Sequence, residues 1–331
     1  IFRRILEQSA QKNIGVTMRV IGVLSGAPSD RHITQYLDAY KRRQGKFSSE
    51  VSYTYASDMK KEDYVIEKGA LYHFPGLKNP TLIKKLHGIA DYVALDTGYL
   101  MRGDSGPRGK NPAAKYCWRL VLNEVQNINT MSREEIIERC EIEFNRKDIA
   151  QYLDDRFYSF LRQDYSKFKI DAAPRGNKIL LVPPSEKSCR YYGITKEWWL
   201  NNTINQINSH WTKTNKADIE IREKKKWRAR ANYSLMDQLH EGHYWCTVTY
   251  NSIAAVESAM CGVPCITALR TSAASCISEL DIKNINDPYL AHPEKVKQHF
   301  YYLTQCQFTP RELSTDALYC LLNAVQKGNF K

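Results

Sequence analysis

Small polar residues at the end of an apolar run are the feature of this sequence that points most directly to chemistry. The run over residues 244–250 is typical of a strand, and it leads into Asn251-Ser252 and then into a helix of small residues that carries Glu257. The first N–H groups of such a helix are unpaired and lie at its positive end, so they suit a phosphate. A carboxylate shortly after Ser252 suits the hydroxyls of a ribose. The pattern indicates a nucleotide site, and an ordinary strand–turn–helix with Ser252 as the N-cap is the alternative.

Polar and basic residues also follow two earlier strands of the same half. A strand predicted over residues 178–182 is followed by Pro184-Ser185, and one predicted over 218–222 ends in Arg222, with Lys224 shortly after. Ligands of open α/β sheets bind beyond the carboxyl ends of the strands. Arg222 can hold two phosphate oxygens and Lys224 offers a point charge, although both could be a solvated strand end. The residues predicted to bind this nucleotide ligand, all just after a strand or in the helix that follows one, are Ser25, Gly26, Pro184, Ser185, Arg222, Lys224, Thr249, Asn251, Ser252 and Glu257.

A carboxylate ends the clearest strand of the first half. Residues 92–96 read Tyr-Val-Ala-Leu-Asp and deliver Asp96, then Thr97-Gly98, to a loop. A carboxylate just past a strand end is suited to take a proton from an attacking hydroxyl. Asp96 is therefore the predicted catalytic base, and a simple cap of the Thr97-Gly98 turn is the alternative. The other candidates considered for this role are Asp30, Asp104, His32, His73 and His243.

The charge of the chain is strongly positive. The formal net charge is +12 and the isoelectric point is near 9.1, with basic runs at residues 41–43, 84–85 and 224–230. Such an excess indicates a polyanionic partner that binds through its phosphates, although a solvated basic surface would give the same count.

Composition and cysteine usage fit a soluble protein of two domains in a reducing compartment. The chain has 331 residues, of which 43% are hydrophobic and 25% charged, and no apolar run is long enough to span a bilayer. Nothing near the first residue reads as a signal peptide. The nine cysteines are odd in number and form no CxxC pair, which disfavours a disulfide framework or a metal site. We expect a cytoplasmic protein without a membrane partner.

Alternating strands and helices predict an α/β fold. The second half reads as strand 178–182, helix 196–211, strand 218–222, helix 234–240, strand 244–250, helix 252–261 and strand 263–267, which implies a parallel sheet wrapped by helices. In the first half we expect strands at 20–24, 52–55, 70–74, 92–96 and 116–123, and helices at 32–43 and 132–140, the latter with a capping box. A polar, aromatic-rich stretch follows to Asp171, and a terminal helical region runs from residue 293 to residue 325, interrupted near residues 308–310.

The turn over residues 174–177 is the predicted domain boundary. This gives a first domain over residues 18–173 and a second domain over residues 174–331. Residues 1–17 are read as an extension whose role the sequence does not decide.

The second half resembles the donor domain of GT-B glycosyltransferases, especially the branch shared with capsule-type polysaccharide enzymes. In those enzymes an Arg-x-Lys element follows one strand, and a Ser…Glu…Gly-x-Pro element follows a later one. Arg222 and Lys224 match the first element, and Ser252, Glu257 and residues 262–264 match the second. No Gly-rich donor loop of the kind found in many GT-B enzymes is evident, which is a departure from the family pattern.

The first half resembles phage proteins thought to modify DNA bases. The residues that carry this resemblance are Asp96-Thr97-Gly98-Tyr99 and the run Tyr-Cys-Trp-Arg-Leu over 116–120. Together the resemblances imply two Rossmann-like α/β domains that face each other across a cleft, with the active site in that cleft. They also imply a C-terminal helix that crosses back to the first domain.

The implied activity is transfer of a hexosyl or pentosyl group from a nucleoside-diphosphate sugar, with UDP as the expected nucleotide. Double-stranded phage DNA with hydroxymethylated pyrimidines, such as hydroxymethylcytosine, is the expected acceptor, which would place the protein in the host cytoplasm. No tightly bound cofactor is expected, and a divalent metal is possible without being indicated. The alternatives are a GT-B enzyme acting on a polysaccharide or lipid-linked glycan, and a non-catalytic nucleic-acid-binding protein.

A basic loop in the first half is the expected DNA contact. Residues 102–115 are polar and rich in Gly and Pro, and reaching a base hydroxyl in a duplex requires base flipping, which a mobile basic loop could assist. An ordinary surface loop is the alternative. The predicted DNA-binding residues are Arg102, Arg108, Lys110 and Lys115. The sugar, the base, the anomeric outcome and the oligomeric state are not given by the sequence.

Overall fold

Two separate sheets organise the computed structural model, which describes residues 19–27, 30–43, 50–76, 79–100, 117–128, 131–144, 147–161, 176–223 and 235–313. The strands of this part of the chain are β1 (Arg19–Leu24), β2 (Glu50–Tyr55), β3 (Leu71–Phe74), β4 (Asp91–Thr97), β5 (Trp118–Leu122), β6 (Lys178–Val182), β7 (Asp218–Ile221), β8 (Tyr244–Thr249), β9 (Cys265–Thr267) and β10 (Gln307–Phe308). The helices are α1 (Asp30–Arg43), α2 (Pro80–Leu86), α3 (Arg133–Phe144), α4 (Ile149–Leu161), α5 (Glu186–Tyr192), α6 (Lys196–His210), α7 (Leu235–Glu241), α8 (Ala254–Met260), α9 (Pro293–Gln305) and α10 (Pro310–Leu313).

The first sheet is parallel over four strands and antiparallel at one edge. Its order is β10-β5-β4-β3-β1-β2. Strands β1 to β4 pair in parallel, whereas β5 runs antiparallel to β4. Strand β1 is buried through its centre because both faces of a parallel sheet are covered, which explains its nearly continuous apolar sequence.

The second sheet is parallel throughout, with the order β7-β6-β8-β9. Its centre, β6 and β8, carries the apolar residues, whereas the edge strand β7 is partly exposed. A single apolar cluster includes Leu95 and Leu120 of the first sheet together with Leu180 and Val256 of the second unit. One apolar cluster therefore spans both sheets, and each sheet also has an apolar cluster of its own.

The end of the described chain returns to the first sheet. Helix α9 packs against α4 and α3, and β10 then pairs antiparallel with β5, with Phe308 opposite Trp118. The guanidinium of Arg156, on α4, is buried, donates to the carbonyl oxygens of Thr304 and Gln307, and lies 3.2 Å from Glu312 Oε1. The predicted α/β class with two Rossmann-like units is confirmed, and so is the crossing back of the C-terminal segment.

Most predicted elements are present within a few residues of their expected bounds. The predicted capping box is confirmed, because Ser132 Oγ accepts from Glu135 N at 3.0 Å and Glu135 Oε2 accepts from Ser132 N at 2.7 Å. The polar, aromatic-rich stretch after residue 140 contains a helix that was not predicted. Helix α4 lies there, and its buried residues Ile149, Leu153 and Phe157 recur at the four-residue spacing of an amphipathic helix.

One predicted element needs correction. Helix α8 begins at Ala254 rather than at residue 252, so Glu257 lies in its first turn. The interruption expected near residues 308–310 of the C-terminal helical region is confirmed, and it contains strand β10, which the sequence pattern did not indicate. Residues 1–17, and Pro174 and Arg175 of the predicted boundary, lie outside the described part of the chain.

Candidate functional site

The carboxyl ends of the two sheets meet at an ion pair. Asp96 lies at the end of β4, and Lys187 lies in the first turn of α5, which follows β6. Lys187 Nζ donates to Asp96 Oδ2 at 3.2 Å. In α/β folds the carboxyl ends of the strands are where ligands bind. The contact therefore joins the ligand-binding edges of both units.

Asp96 is held by three donors. Besides Lys187, the guanidinium of Arg119 lies 3.5 Å from Asp96 Oδ2, and the N–H of Thr97 donates to Oδ1 at 2.9 Å. Burial acts to raise the pKa of the Asp96 carboxyl, but the charges of Arg119 and Lys187 and the Thr97 bond outweigh it, so the pKa lies below its ordinary value. Asp96 is consequently an anion at neutral pH. The Thr97 bond is the one expected if Asp96 caps the Thr97-Gly98 turn. Asp96 makes this bond and also contacts Lys187 where the two sheets meet.

Gly76 brings the backbone directly against this ion pair. It follows β3 and has a φ of +67°, in the left-handed region that glycine adopts without strain. A Cβ atom at this position would lie 3.0 Å from Lys187 Nζ and 3.3 Å from Asp96 Cγ. A side chain at position 76 would therefore displace the Lys187 ammonium or the Asp96 carboxylate.

Arg119 is a buried cation with spare donors. Its side chain is 5% exposed, and its guanidinium lies 4.9 Å from the centre of the Tyr99 ring. Nη2 reaches Asp96 and the carbonyl of Val125, both at 3.5 Å. Nε and Nη1 are buried and have no hydrogen-bond partner in the part of the chain that the structure describes. Buried donors of this kind are costly unless a ligand or water satisfies them.

Asn251 fixes the elbow after β8 through its backbone carbonyl and both polar atoms of its side chain. Its carbonyl oxygen accepts from Gln126 Nε2 at 2.5 Å, and Gln126 Oε1 accepts from Ala273 N at 2.7 Å. Asn251 Oδ1 accepts from Ser188 Oγ at 2.9 Å, and Nδ2 donates to the hydroxyl of Tyr192 at 3.3 Å. Gln126 comes from the first unit, so the elbow is a second point where the units are joined.

Two serines of the predicted donor site accept from backbone N–H groups at helix starts, but only Ser185 is an N-cap, because the N-cap of α8 is Ile253. Ser252 Oγ accepts from Ala254 N at 3.2 Å, and Ser185 Oγ accepts from Ser188 N at 3.2 Å. Ser185 is half-buried and is the N-cap of α5, so Lys187 follows it by two residues, in the first turn of the helix. Thr249 is buried at the end of β8, and Glu257 is half-buried in the first turn of α8. These residues group around the elbow and the start of α5.

Arg222 lies next to the end of β6 and two strands away from the elbow after β8. It follows β7, which is separated from β8 by β6. Its guanidinium donates to Gln238 Oε1, and Gln238 Nε2 donates to Glu220 Oε1 at 2.7 Å and to the hydroxyl of Tyr244 at 2.8 Å. Arg222 is thus tied into a polar network at the edge strand. Lys224 lies outside the described residues.

Ser25 and Gly26 form a turn that Asp30 closes. Asp30 Oδ1 accepts from Ser25 Oγ at 2.7 Å, and Asp30 Oδ2 accepts from the N–H groups of Ser25 and Ala27 at 2.8 Å and 3.2 Å. This carboxylate therefore stabilises the start of α1. A Cβ atom at Gly26 would meet nothing within 4 Å, so the backbone at the end of β1 is open on that side.

The histidine candidates differ in their surroundings. His73 is buried beside the ring of Tyr36, and burial lowers the pKa of its imidazole from 6.5 to about 3. It is therefore neutral at physiological pH. His243 is exposed and precedes β8, at the edge of the second sheet opposite to the elbow. The side chain of His32, and Asp104 entirely, lie outside what the structure describes.

The predicted DNA contacts, Arg102, Arg108, Lys110 and Lys115, also lie outside the described residues and stay predictions. Within the described ranges, no group of three His, Cys, Asp or Glu side chains is placed to hold a metal ion. All eight cysteines in these ranges are free thiols. No helix there is long and apolar enough to cross a membrane.

No protein-family model and no curated protein matches the chain. Solved structures do resemble it. One is KpsC of Thermosulfurimonas dismutans, described as a beta Kdo 2,4 transferase, with 13% identity, a TM-score of 0.42 and coverage of 94% of this chain and 98% of that one. Another is KpsC of the same organism, described as a beta Kdo 2,7 transferase, with 10% identity, a TM-score of 0.41 and coverage of 92% and 99%.

Sequence reasoning placed Asp96 at the site but missed the residues around it. Lys187, Arg119, Gln126 and Gly76 were not among the candidates, although Arg119 stands in a run already singled out and Lys187 comes two residues after Ser185. Their common signal is position just beyond a strand or on the strand next to Asp96. A single sequence does not show which strand ends of the two sheets face each other.

Proposed function

We propose that this chain is a glycosyltransferase whose active site lies where the carboxyl ends of the two sheets meet. The observation that carries the proposal is the contact of Asp96, from the first unit, with Lys187, from the second unit, at 3.2 Å. A transferase of this kind needs an anion that takes a proton and a cation that stabilises a leaving phosphate, one from each side of the reacting bond. The chain supplies both within one contact.

The proposed reaction is a displacement at the anomeric carbon of the donor sugar. The oxygen of the acceptor hydroxyl forms a bond to that carbon, and its proton passes to Asp96. The bond from the anomeric carbon to the phosphate oxygen breaks, and the nucleotide leaves with the electron pair. Asp96 then carries the proton and the nearby cations face the negative charge of the leaving group. This account applies to inversion at the anomeric carbon.

The donor is proposed to be a nucleoside-diphosphate sugar, with UDP as the nucleotide and a hexose or pentose as the sugar. Its site would include the elbow with Thr249, Asn251 and Ser252, the Pro184-Ser185 turn and the carboxylate of Glu257. Ser185 and Ser188 connect the start of α5 to Asn251, so these two donor elements lie together. Arg222 and Lys224 are proposed to act from the neighbouring strand end.

The acceptor is proposed to be double-stranded DNA that carries hydroxymethylated pyrimidines, with Arg102, Arg108, Lys110 and Lys115 as contacts. Support comes from the net charge of +12, because a basic protein gains affinity for DNA through phosphate contacts and counterion release. A primary hydroxyl on the base provides the nucleophile. This function would place the protein in the cytoplasm of a phage-infected cell.

Mass spectrometry of nucleosides tests this proposal against its two alternatives. Duplexes with and without hydroxymethylated cytosine or uracil are incubated with a panel of UDP-, GDP-, TDP- and CMP-sugars and then digested. A nucleoside heavier by one sugar residue, formed from the modified duplex alone, is the expected result. Sugar transfer to a glycan acceptor, without DNA modification, would instead assign a polysaccharide or lipid-linked glycan as acceptor. Salt-sensitive retention of DNA with no transfer to either acceptor would assign a non-catalytic nucleic-acid-binding protein.

A further inference from the structure

Lys187 and Arg119 place two positive charges against the single negative charge of Asp96. Both reach the same oxygen, Asp96 Oδ2, at 3.2 Å and 3.5 Å. The distance from Arg119 is long for a charge-assisted bond, which is usually about 2.7–2.9 Å. The carboxylate therefore satisfies neither cation fully.

The unused hydrogen-bonding capacity lies on Arg119. Its Nε and Nη1 are buried without a hydrogen-bond partner among the described residues, although its side chain is only 5% exposed. Leaving such donors unpaired is unfavourable, and more so for a charged group. A guanidinium held in this way is pre-organised to take further anionic oxygens, because its planar fork matches a phosphate.

Lys187 can turn away from Asp96 without disturbing the fold. Its side chain is 32% exposed, and on α5 it precedes Ser188, which donates to the elbow residue Asn251. Gly76 leaves space around Lys187 Nζ, and a side chain at position 76 would fill part of that space. Asp96 itself is 23% exposed, so the ion pair is reachable from outside the core.

We propose that Asp96 occupies the place of a donor phosphate in the free protein, and that binding of the nucleotide donor transfers Lys187 and Arg119 from the carboxylate to that phosphate. This inference rests on the proposed glycosyltransferase function for the identity of the ligand. Its consequence is an ordered activation of the base. When a donor binds, Asp96 loses contact with the two positive charges that lower its basicity. Proton transfer to Asp96 is therefore favoured in the complex with donor.

If this exchange takes place, substitution of Asp96 and substitution of Lys187 should change the affinity for pyrophosphate in opposite directions. Removing the competing carboxylate in Asp96→Asn leaves both cations for the incoming anion, so inorganic pyrophosphate should bind several-fold more tightly than to the wild-type protein. Lys187→Ala removes one cation, so pyrophosphate affinity should fall about tenfold, the loss expected for one charge-assisted hydrogen bond of about 1.5 kcal/mol. Lys187→Arg keeps the charge and should retain most of the affinity.

Isothermal titration calorimetry with pyrophosphate, UDP and an unmodified DNA duplex measures these changes. Circular dichroism first confirms that each variant is folded, and Lys283→Ala, at an exposed position of the second unit, is the matched control. Unchanged or weaker pyrophosphate binding by Asp96→Asn would overturn the exchange, and so would unchanged binding by Lys187→Ala. Absence of pyrophosphate binding in both the wild type and Asp96→Asn, or an effect confined to DNA, would overturn it as well.

The failure of this inference can be told apart from failure of the proposed function. If sugar transfer is detected while Asp96→Asn does not bind pyrophosphate more tightly, the enzyme assignment stands and the exchange is wrong. If pyrophosphate binding changes as expected while no acceptor receives a sugar, the phosphate site stands and the transferase assignment is wrong.

Discussion

Asp96 is the residue whose surroundings decide how the site works. It combines a position at the meeting edge of two sheets with contacts to two cations and to the Thr97 N–H. A carboxylate tied in this way is a weak base, so its role depends on what happens to Lys187 and Arg119 when substrate binds. A static ion pair at the surface of a protein would not have this property.

Asp96→Asn should abolish most of the transfer activity. The amide keeps the shape of the side chain but accepts no proton, and a general base contributes about 10²–10⁴-fold to the rate. Turnover of the donor and acceptor identified by mass spectrometry is compared with that of Asp218→Asn, which alters an exposed carboxylate at the start of β7. Turnover at the wild-type rate in Asp96→Asn would show that another group takes the proton, or that the reaction retains configuration without this base.

Among the elements, β10 has the greatest influence on the site. Gln307 lies on this strand, and its Oε1 accepts from the N–H groups of Tyr99 at 2.7 Å and Leu100 at 3.0 Å. Those residues continue the chain from Asp96, three and four positions later. The segment that carries the proposed base is therefore held in place by a strand from the far end of the described chain.

Gln307→Ala should destabilise the protein by about 1–3 kcal/mol, because it leaves buried N–H groups without an acceptor. Chemical denaturation measures the change, and Gln151→Ala, on the exposed face of α4, should stay within about 0.5 kcal/mol of wild type. A loss for Gln307→Ala no larger than that of Gln151→Ala would show that water or a shifted backbone replaces the bond.

The elements show where the sequence was informative and where it was not. Strands such as β4 and β8, and the capping box of α3, could be predicted because their signals are local apolar runs and cap residues. Helix α4 could have been found from the spacing of Ile149, Leu153 and Phe157, which aromatic and polar neighbours obscured. Strand β10 has two residues and exists only because β5 offers it an edge, so no local pattern indicates it.

The same distinction applies to the site. Asp96 and the elbow at Asn251 stand at strand ends, which periodicity reveals. The pairing of Asp96 with Lys187, and of Gln126 with Asn251, depends on how the two sheets pack. Those contacts link residues 91 and 125 positions apart, and no feature of one sequence fixes such a distance.

For the molecule as a whole, buried histidines should make the fold sensitive to acid. Burial lowers the pKa of His73 from 6.5 to about 3 and that of His299 from 6.5 to about 4. Below pH 6.5 the unfolded chain takes up protons that the folded imidazoles do not. The free energy of unfolding should therefore fall as the pH drops from 6.5 towards 4, by up to about 1.4 kcal/mol per pH unit for each histidine.

Replacement of His73 by leucine should make this pH dependence shallower. Urea denaturation of the wild type, His73→Leu and the exposed control His87→Leu is measured at pH values between 7 and 4, and the slopes rather than the absolute stabilities are compared. Equal slopes for the wild type and His73→Leu, with both proteins folded at pH 7, would show that His73 gains a proton in the folded state as readily as in the unfolded one.

The return of β10 to the first sheet also affects how this protein is made. Synthesis on the ribosome proceeds from the amino end, so β1 to β5 emerge long before β10, and all of the second sheet is made in between. During that interval the β5 edge lacks its partner strand, and an unpaired edge is a template for pairing with other chains. The nascent chain therefore holds its key carboxylate in an unfinished sheet until residues 307 and 308 arrive. A chaperone that shields this edge would act on the growing chain rather than on the finished protein.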